Sequence, residues 1–159
     1  MFGKIEVFQA LQSIPWFLEL KPKQIENLTN ISEICTLSPG EILFEEGDLT
    51  DNLYILLEGN LNIETQIPTS DQPLIALAEP LDILGWSSLT PVTRQRTATV
   101  RATKESVLIG FSSPALLQIC DEDHDLGFVI MRRVANVIAS HYLRTKLQFL
   151  NFAMQQAPK

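Results

Sequence analysis

Positive charge is scarce in this chain. Twelve Lys and Arg stand against nineteen Asp and Glu in 159 residues, for a formal net charge of −7. A surface so biased offers no general attraction for phosphate backbones or anionic lipid, so direct nucleic-acid binding is not expected. Long apolar runs are missing as well. Stretches such as Ile55–Leu57 and Val129–Met131 fall far short of the ~20 residues that span a bilayer. Met1–Ala10 lack a basic stretch followed by an apolar core, the mark of a secretory leader. The expected location is the cytoplasm, with no membrane partner.

Cysteine is sparse too. Cys35 and Cys120 each follow an isoleucine, with no CxxC spacing and no neighbouring histidine, so buried thiols are expected rather than redox or metal chemistry. His124 and His141 stand too far apart to ligate one ion from one helical face, and the acidic run from Asp121 to Asp125 lacks the central glycine of a calcium loop. That run reads better as a helix start, where carboxylates meet unpaired amides and the positive end of the dipole. GxSxG, P-loop and GxGxxG patterns are absent. No convergent His, Cys and carboxylate set presents itself, so enzyme activity is not expected, and neither metal nor cofactor is assigned.

What is present suits a single domain with accessory helices, because 159 residues at 45% hydrophobic content can bury one core. Residues 1–32 carry apolar positions at helical spacing, interrupted by Pro15 and Pro22, and predict short helices broken at the prolines. Over 33–111 the period shortens, and apolar segments alternate with Gly, Pro, Asp and Asn. Seven strands are predicted: Glu33–Leu37, Ile42–Glu45, Asn52–Glu58, Leu61–Gln66, Leu74–Ala78, Thr97–Ala102 and Ser106–Phe111. The sharpest turn signal is Glu58-Gly59-Asn60 between two alternating segments. Residues 112–152 return to helix. Ser112-Ser113-Pro114 supplies a cap and a proline at the first turn, and a long helix is predicted from about Asp123 to Leu150.

That last helix bears on assembly. At 100° per residue, Leu126, Ile130 and Val137 form one apolar stripe, and Met131, Val134, Ile138, Tyr142 and Phe149 form a second beside it. The joint face is nearly twice the ~100° arc that one packing surface requires. Self-association as a homodimer through Met131, Val134, Ile138 and Tyr142 is therefore expected.

Three ordered blocks sharpen the reading. They are Leu37-Ser38-Pro39-Gly40-Glu41-Ile42-Leu43-Phe44-Glu45-Glu46-Gly47-Asp48, then Asn52-Leu53-Tyr54-Ile55-Leu56-Leu57-Glu58-Gly59, and finally Leu84-Gly85-Trp86-Ser87-Ser88-Leu89 followed by Arg96-Thr97-Ala98-Thr99-Val100-Arg101-Ala102. Together they resemble the cyclic-nucleotide-binding domain of the catabolite-activator (Crp/Fnr-like) family, over roughly residues 10 to 150. The resemblance implies a mainly β fold: a double-stranded β-helix, or jelly-roll-like β-roll, with short N-terminal helices and a long C-terminal helix. It also implies a phosphate-binding cassette in the third block, and it nominates Gly85, Ser87, Ser88, Arg96 and Thr97, with Trp86 among them. The chemistry agrees. Glycine lets the backbone approach a ligand, a short helical turn points amides at an anion, and arginine offers a fork of charged donors.

One position departs from the family. Where a glutamate would hold the ribose hydroxyl, this chain has Trp86, whose indole donates one hydrogen bond and accepts none. Tight binding of cAMP or cGMP in the usual manner is not expected. The indole either packs inside the fold or stacks on a flat ligand while Arg96 holds its anionic group. Arg96 has a second reading as a solvated or salt-bridged strand residue, and Arg94 and Arg101 read as surface charges. Nine residues follow Leu150, fewer than a DNA-reading helix and its support need, so no DNA-binding domain is expected. Two functions compete: a sensor for a cyclic nucleotide or other small anion, or a non-binding β-roll used for dimerisation or for docking a protein partner.

Overall fold

The computed structural model describes residues 3–49, 51–68, 71–90, 92–93 and 95–156, apart from the side chains of 155 and 156. Arg94 lies outside the described residues. The chain opens with helix α1 (Lys4–Ser13), where the Glu6 carboxylate reaches back to accept from the Gly3 amide. Pro15 then starts a single 3-10 turn, Pro15–Phe17, and Pro22 starts α2 (Pro22–Asn30). The prolines break the N-terminal region as their fixed φ and missing amide require.

Eight strands follow: β1 (Ser32–Leu37), β2 (Ile42–Phe44), β3 (Asn52–Glu58), β4 (Leu61–Thr65), β5 (Leu74–Ala78), β6 (Ile83–Leu84), β7 (Thr99–Ala102) and β8 (Ser106–Ser112). They form two antiparallel four-stranded sheets, ordered β1-β8-β3-β6 and β2-β7-β4-β5. Seven of the strands fall where period-2 patterning predicts them. The eighth, β6, is two residues long and pairs with Tyr54 and Ile55; a segment so short carries no alternation to read. Strand β7 begins at Thr99 rather than Thr97 because residue 96 pairs with a turn instead of a strand: the Arg96 amide donates to Asp48 O at 2.9 Å, and the Gly47 amide donates to Arg96 O at 2.9 Å.

Two apolar clusters hold the sheets. One lies between them, with Leu56, Leu84 and Leu108 from the first sheet against Phe44, Leu61, Val100 and Ala102 from the second. The other covers the outer face of the first sheet, where Leu53, Ile55, Ile109 and Phe111 meet Leu11, Phe17, Leu28, Leu116, Leu126, Ile130 and Val134 from the helices. Burying each such side chain contributes ~1.5–3 kcal/mol, so the β-roll and its helical cover stabilise each other.

The C-terminal pair is α3 (Ser113–Glu122), entered through Ser112 with proline in its first turn, and α4 (His124–Gln156). The Asp123 carboxylate accepts from the Leu126 amide at 3.1 Å and from Gln24 Nε2 at 2.8 Å. Those bonds hold it below the usual carboxylate range, Gln24 contributing most. The acidic run is thus a helix start, as its composition implies. Gly127 lets α4 cross α3 closely, since a Cβ there would stand 2.8 Å from Cys120 O. Helix α4 runs six residues past the predicted Leu150, as nothing in Asn151–Gln156 breaks a helix.

Candidate functional site

Strand β6 delivers the chain to Gly85, which adopts φ 74° and caps a 3-10 turn over Trp86–Leu89. Glycine is needed here twice over. The left-handed backbone disfavours a side chain, and a Cβ would strike the Arg96 guanidinium and sit 2.8 Å from Asn52 O. The turn closes through the Ser88 amide on Gly85 O at 3.1 Å and the Thr90 amide on Ser87 O at 3.2 Å. The amides of Trp86 and Ser87 occupy its first positions, where a helical turn offers them no internal acceptor.

Arg96 lies against this turn, at 2% exposure. Its Nη1 donates to Gly85 O at 2.7 Å and its Nη2 to Asn52 O at 2.6 Å, while the guanidinium carbon stands 4.4 Å from the Phe44 ring centroid. Burial pushes its pKa down, and the surrounding Tyr54, Asp51 and Asp48 pull it back up. Carbonyl dipoles and an aromatic face compensate the buried charge. The side chain is near Gly85 as expected, and it is buried rather than solvated. It ties the cassette turn to the start of β3. Arg101 instead pairs with Glu64 at 3.1 Å on the surface of the second sheet.

Five of the six nominated residues share one cavity. Gly85, Trp86, Ser87, Arg96 and Thr97 line a space of about 40 Å3 with Phe44, Leu84, Ala98 and Val100. Ser87 is buried and Thr97 is exposed at the edge. Ser88 points elsewhere: its hydroxyl donates to Gly85 O at 2.8 Å and lies 2.6 Å from the Ser113 hydroxyl, which joins the turn to α3. A cavity of this size holds a few waters and is far below the roughly 300–1,000 Å3 of small-molecule sites. It adjoins a groove of about 430 Å3, however, in which Trp86, Thr97, Ala98, Ile63 and His141 are shared walls and Thr65, Leu74, Ala76, Ile138, Tyr142, Arg144, Thr145 and Gln148 complete the lining.

Trp86 joins the cavity to the long helix. Its indole meets the His141 imidazole edge to face, with ring centroids 6.5 Å apart at 72°. Burial holds the His141 pKa below the ordinary histidine range, the Arg144 charge adds to that, and Asp82 opposes it. His141 was not singled out from sequence, although it follows Val137 by four positions and so continues the buried stripe of α4. Phe44 and Asn52 were likewise not nominated; nothing local marks a main-chain carbonyl as the partner of a distant arginine.

The expected split of α4 into two stripes needs correction. Val134, assigned to self-association, is 2% exposed and belongs to the core stripe with Leu126, Ile130 and Val137. Ile138 is partly buried against the same cluster. Of the four residues named for a dimer, Met131 and Tyr142 face outward. The cysteines are partly rather than fully buried. Burial raises both thiols, and for Cys120, with Asp121 and Asp123 adding to the effect, the pKa is pushed up to about 11.

Among the described residues there is no group of three or more His, Cys, Asp or Glu able to hold a metal, and no helix is long and apolar enough to cross a membrane. A family model, the cyclic nucleotide-binding domain, matches residues 34–123, spanning both the roll and the cassette. The chain belongs to the cyclic nucleotide-binding domain family. An uncharacterised ABC transporter ATP-binding protein of Mycobacterium tuberculosis is 30% identical over 98 residues, which are 62% of this chain and 29% of that protein. The chain therefore spans under a third of the length of the curated relatives of this kind. A crystal structure of a candidate cyclic nucleotide-binding protein from Geobacter metallireducens superposes with a TM-score of 0.71 at 26% identity, covering 88% of this chain and 98% of that one. A cyclic nucleotide-binding domain from Methylobacillus flagellatus shares the fold, with a TM-score of 0.76 at 19% identity over 98% of this chain and 85% of that one. The sensor domain of the transcriptional regulator DNR from Pseudomonas aeruginosa also shares the fold, with a TM-score of 0.71 at 23% identity over 87% of this chain and 93% of that one. Among the described residues no carboxylate lines the cavity or the adjoining groove.

Proposed function

We propose that this domain is a non-enzymatic regulatory sensor: a small anion, a nucleotide among the candidates, enters the roll beside Gly85 and Arg96 and displaces α4. The contact between Trp86 and His141 carries the proposal. A ligand entering the inner cavity meets an indole that leans directly on the long helix, so occupancy and helix position are coupled. Such a ligand acts as a switch to the extent that it binds one helix position better than the other. Gly85, Trp86, Ser87 and Thr97 shape the entrance. Ser88 contributes by fixing the turn to α3, and Arg96 reaches an anion by exchanging carbonyl partners.

Output runs through α4 into a homodimer or a protein partner. Met131 and Tyr142 are exposed, and beyond them Leu143, Leu147, Leu150 and Met154 follow at spacings of four, three and four with exposures of 58%, 62%, 44% and 75%. That spacing is the 3.5-residue repeat of a helical seam. We place the protein in the cytoplasm, which suits two free thiols.

Titration calorimetry of the full chain against cyclic mono- and dinucleotides tests the sensor, with sedimentation run on the same samples. Binding that changes the sedimentation coefficient is expected. No heat with any ligand, and a monomer throughout, would leave the second reading. That reading is a filled roll serving as a scaffold, and it is favoured by the carbonyl bonds of Arg96 and the 40 Å3 cavity. Trp86→Glu separates the two, because gain of cAMP binding would show that only the indole stands in the way.

A further inference from the structure

The walls of the groove narrow the ligand class further, on the reading that the roll opens to an anion. In a chain of net charge −7, neither the inner cavity nor the groove is lined by a single Asp or Glu. The groove carries an arginine at its rim. Arg144 is exposed, its charge reaches the His141 imidazole, and among the described residues it makes no ion pair. Between that rim and the cassette the surface is mostly apolar, made by Ile63, Leu74, Ala76, Trp86, Ile138 and Tyr142, and its uncharged polar groups are Thr65, Thr97, Thr145 and Gln148. At about 430 Å3 the groove has the size of a small-molecule site, and the inner cavity does not.

A nucleoside sugar placed against those apolar walls would give up its water without gaining a carboxylate acceptor, which is costly for a polar group. A flat apolar body has no such loss, and it meets aromatic surface from Trp86 and Tyr142. Its charge also has a fixed place. Arg96 would first have to exchange its two carbonyl partners, whereas Arg144 is exposed, and a guanidinium there can take a carboxylate through two parallel hydrogen bonds without that exchange. We propose that the groove binds an aromatic carboxylate lacking a sugar, with its ring between Trp86 and Tyr142 and its carboxylate on Arg144.

The test uses the full chain and three probes in calorimetry: 2-naphthoate, the neutral 2-naphthylmethanol and cAMP. The expected result is binding of 2-naphthoate, with the alcohol and the Arg144→Gln variant each weaker by about tenfold, the effect of losing one charged hydrogen-bonded pair. Arg144→Gln should melt like the parent, because the residue is exposed. Tyr142→Ala should weaken 2-naphthoate while leaving the thermal transition in place. Equal binding of acid and alcohol, an unchanged Arg144→Gln, or no binding of 2-naphthoate would each overturn the proposal. Tight cAMP binding with a silent 2-naphthoate would overturn it while keeping the anion sensor; silence from all three probes would overturn it and leave the sensor to the cyclic mono- and dinucleotide panel.

Discussion

The two halves of α4 carry the same kind of amphipathic pattern and meet different fates. From Leu126 to Val137 the apolar stripe is sealed, with Leu126 at 0%, Ile130 at 3% and Val134 at 2% exposure, against the outer face of the first sheet and the N-terminal helices. From Leu143 onward that face turns polar through Arg144 and Gln148, and the apolar row moves round the helix to Leu143, Leu147, Leu150 and Met154, where Leu147 is 62% and Met154 75% exposed. The joint between the halves is where Trp86 touches His141. Periodicity therefore reports that a helix has an apolar side, and leaves open what covers it. In this molecule the proximal half is part of the core and the distal half is a surface available to a ligand or a second molecule.

Truncating the sealed half gives the largest expected effect. Leu126→Ala should lower unfolding stability by ~2–5 kcal/mol, the usual cost of a buried cavity, read from the midpoint of urea unfolding. Gly85→Ala comes next, at about 1–2 kcal/mol from forcing a side chain into the left-handed region, with more from the displaced Arg96. Because it moves the turn that carries Trp86, it should also shift tryptophan emission, and an unchanged spectrum would uncouple the cassette from the helix joint. Leu147→Ala should leave the monomer within ~0.5 kcal/mol of the parent, as for other exposed positions. A loss as large as that of Leu126→Ala at low protein concentration would mean the distal half is covered after all, and would erase the contrast between the halves.

The smallest effect belongs to the joint itself. His141 has a depressed folded pKa, so below its ordinary value the unfolded chain binds the extra proton first. Stability should be fully present above about pH 6.5, the ordinary histidine value, and fall as pH drops through the depressed folded value. In His141→Gln that part of the acid dependence should disappear, which stability curves at pH 7.5 and 5 would reveal. An identical slope in the variant would place the titration elsewhere.

Much of the fold is readable from residues. Pro15 and Pro22 mark the helix breaks, the Gly-rich turns separate the strands, and Asp123 begins α4. What escaped was either too short to show a period, as with Ile83–Leu84, or depended on a neighbour remote in the chain. Arg96 is the instructive case. The family resemblance nominated it beside Gly85, but could not tell that Asn52 O, forty-four positions earlier, takes one of its donors.

Composition, turn chemistry and periodicity were enough to mark a β-rich core between helical ends, because those depend on near neighbours and on patterns repeated along each strand, and the resemblance carried by three short blocks implied the β-roll. Only the packed structure decided that Val134 belongs to the core, that Ser88 bonds to Ser113 and that Trp86 rests on His141. Each of those outcomes depends on which surfaces compete for the same side chain once the chain has folded, and that competition has no local record in the sequence.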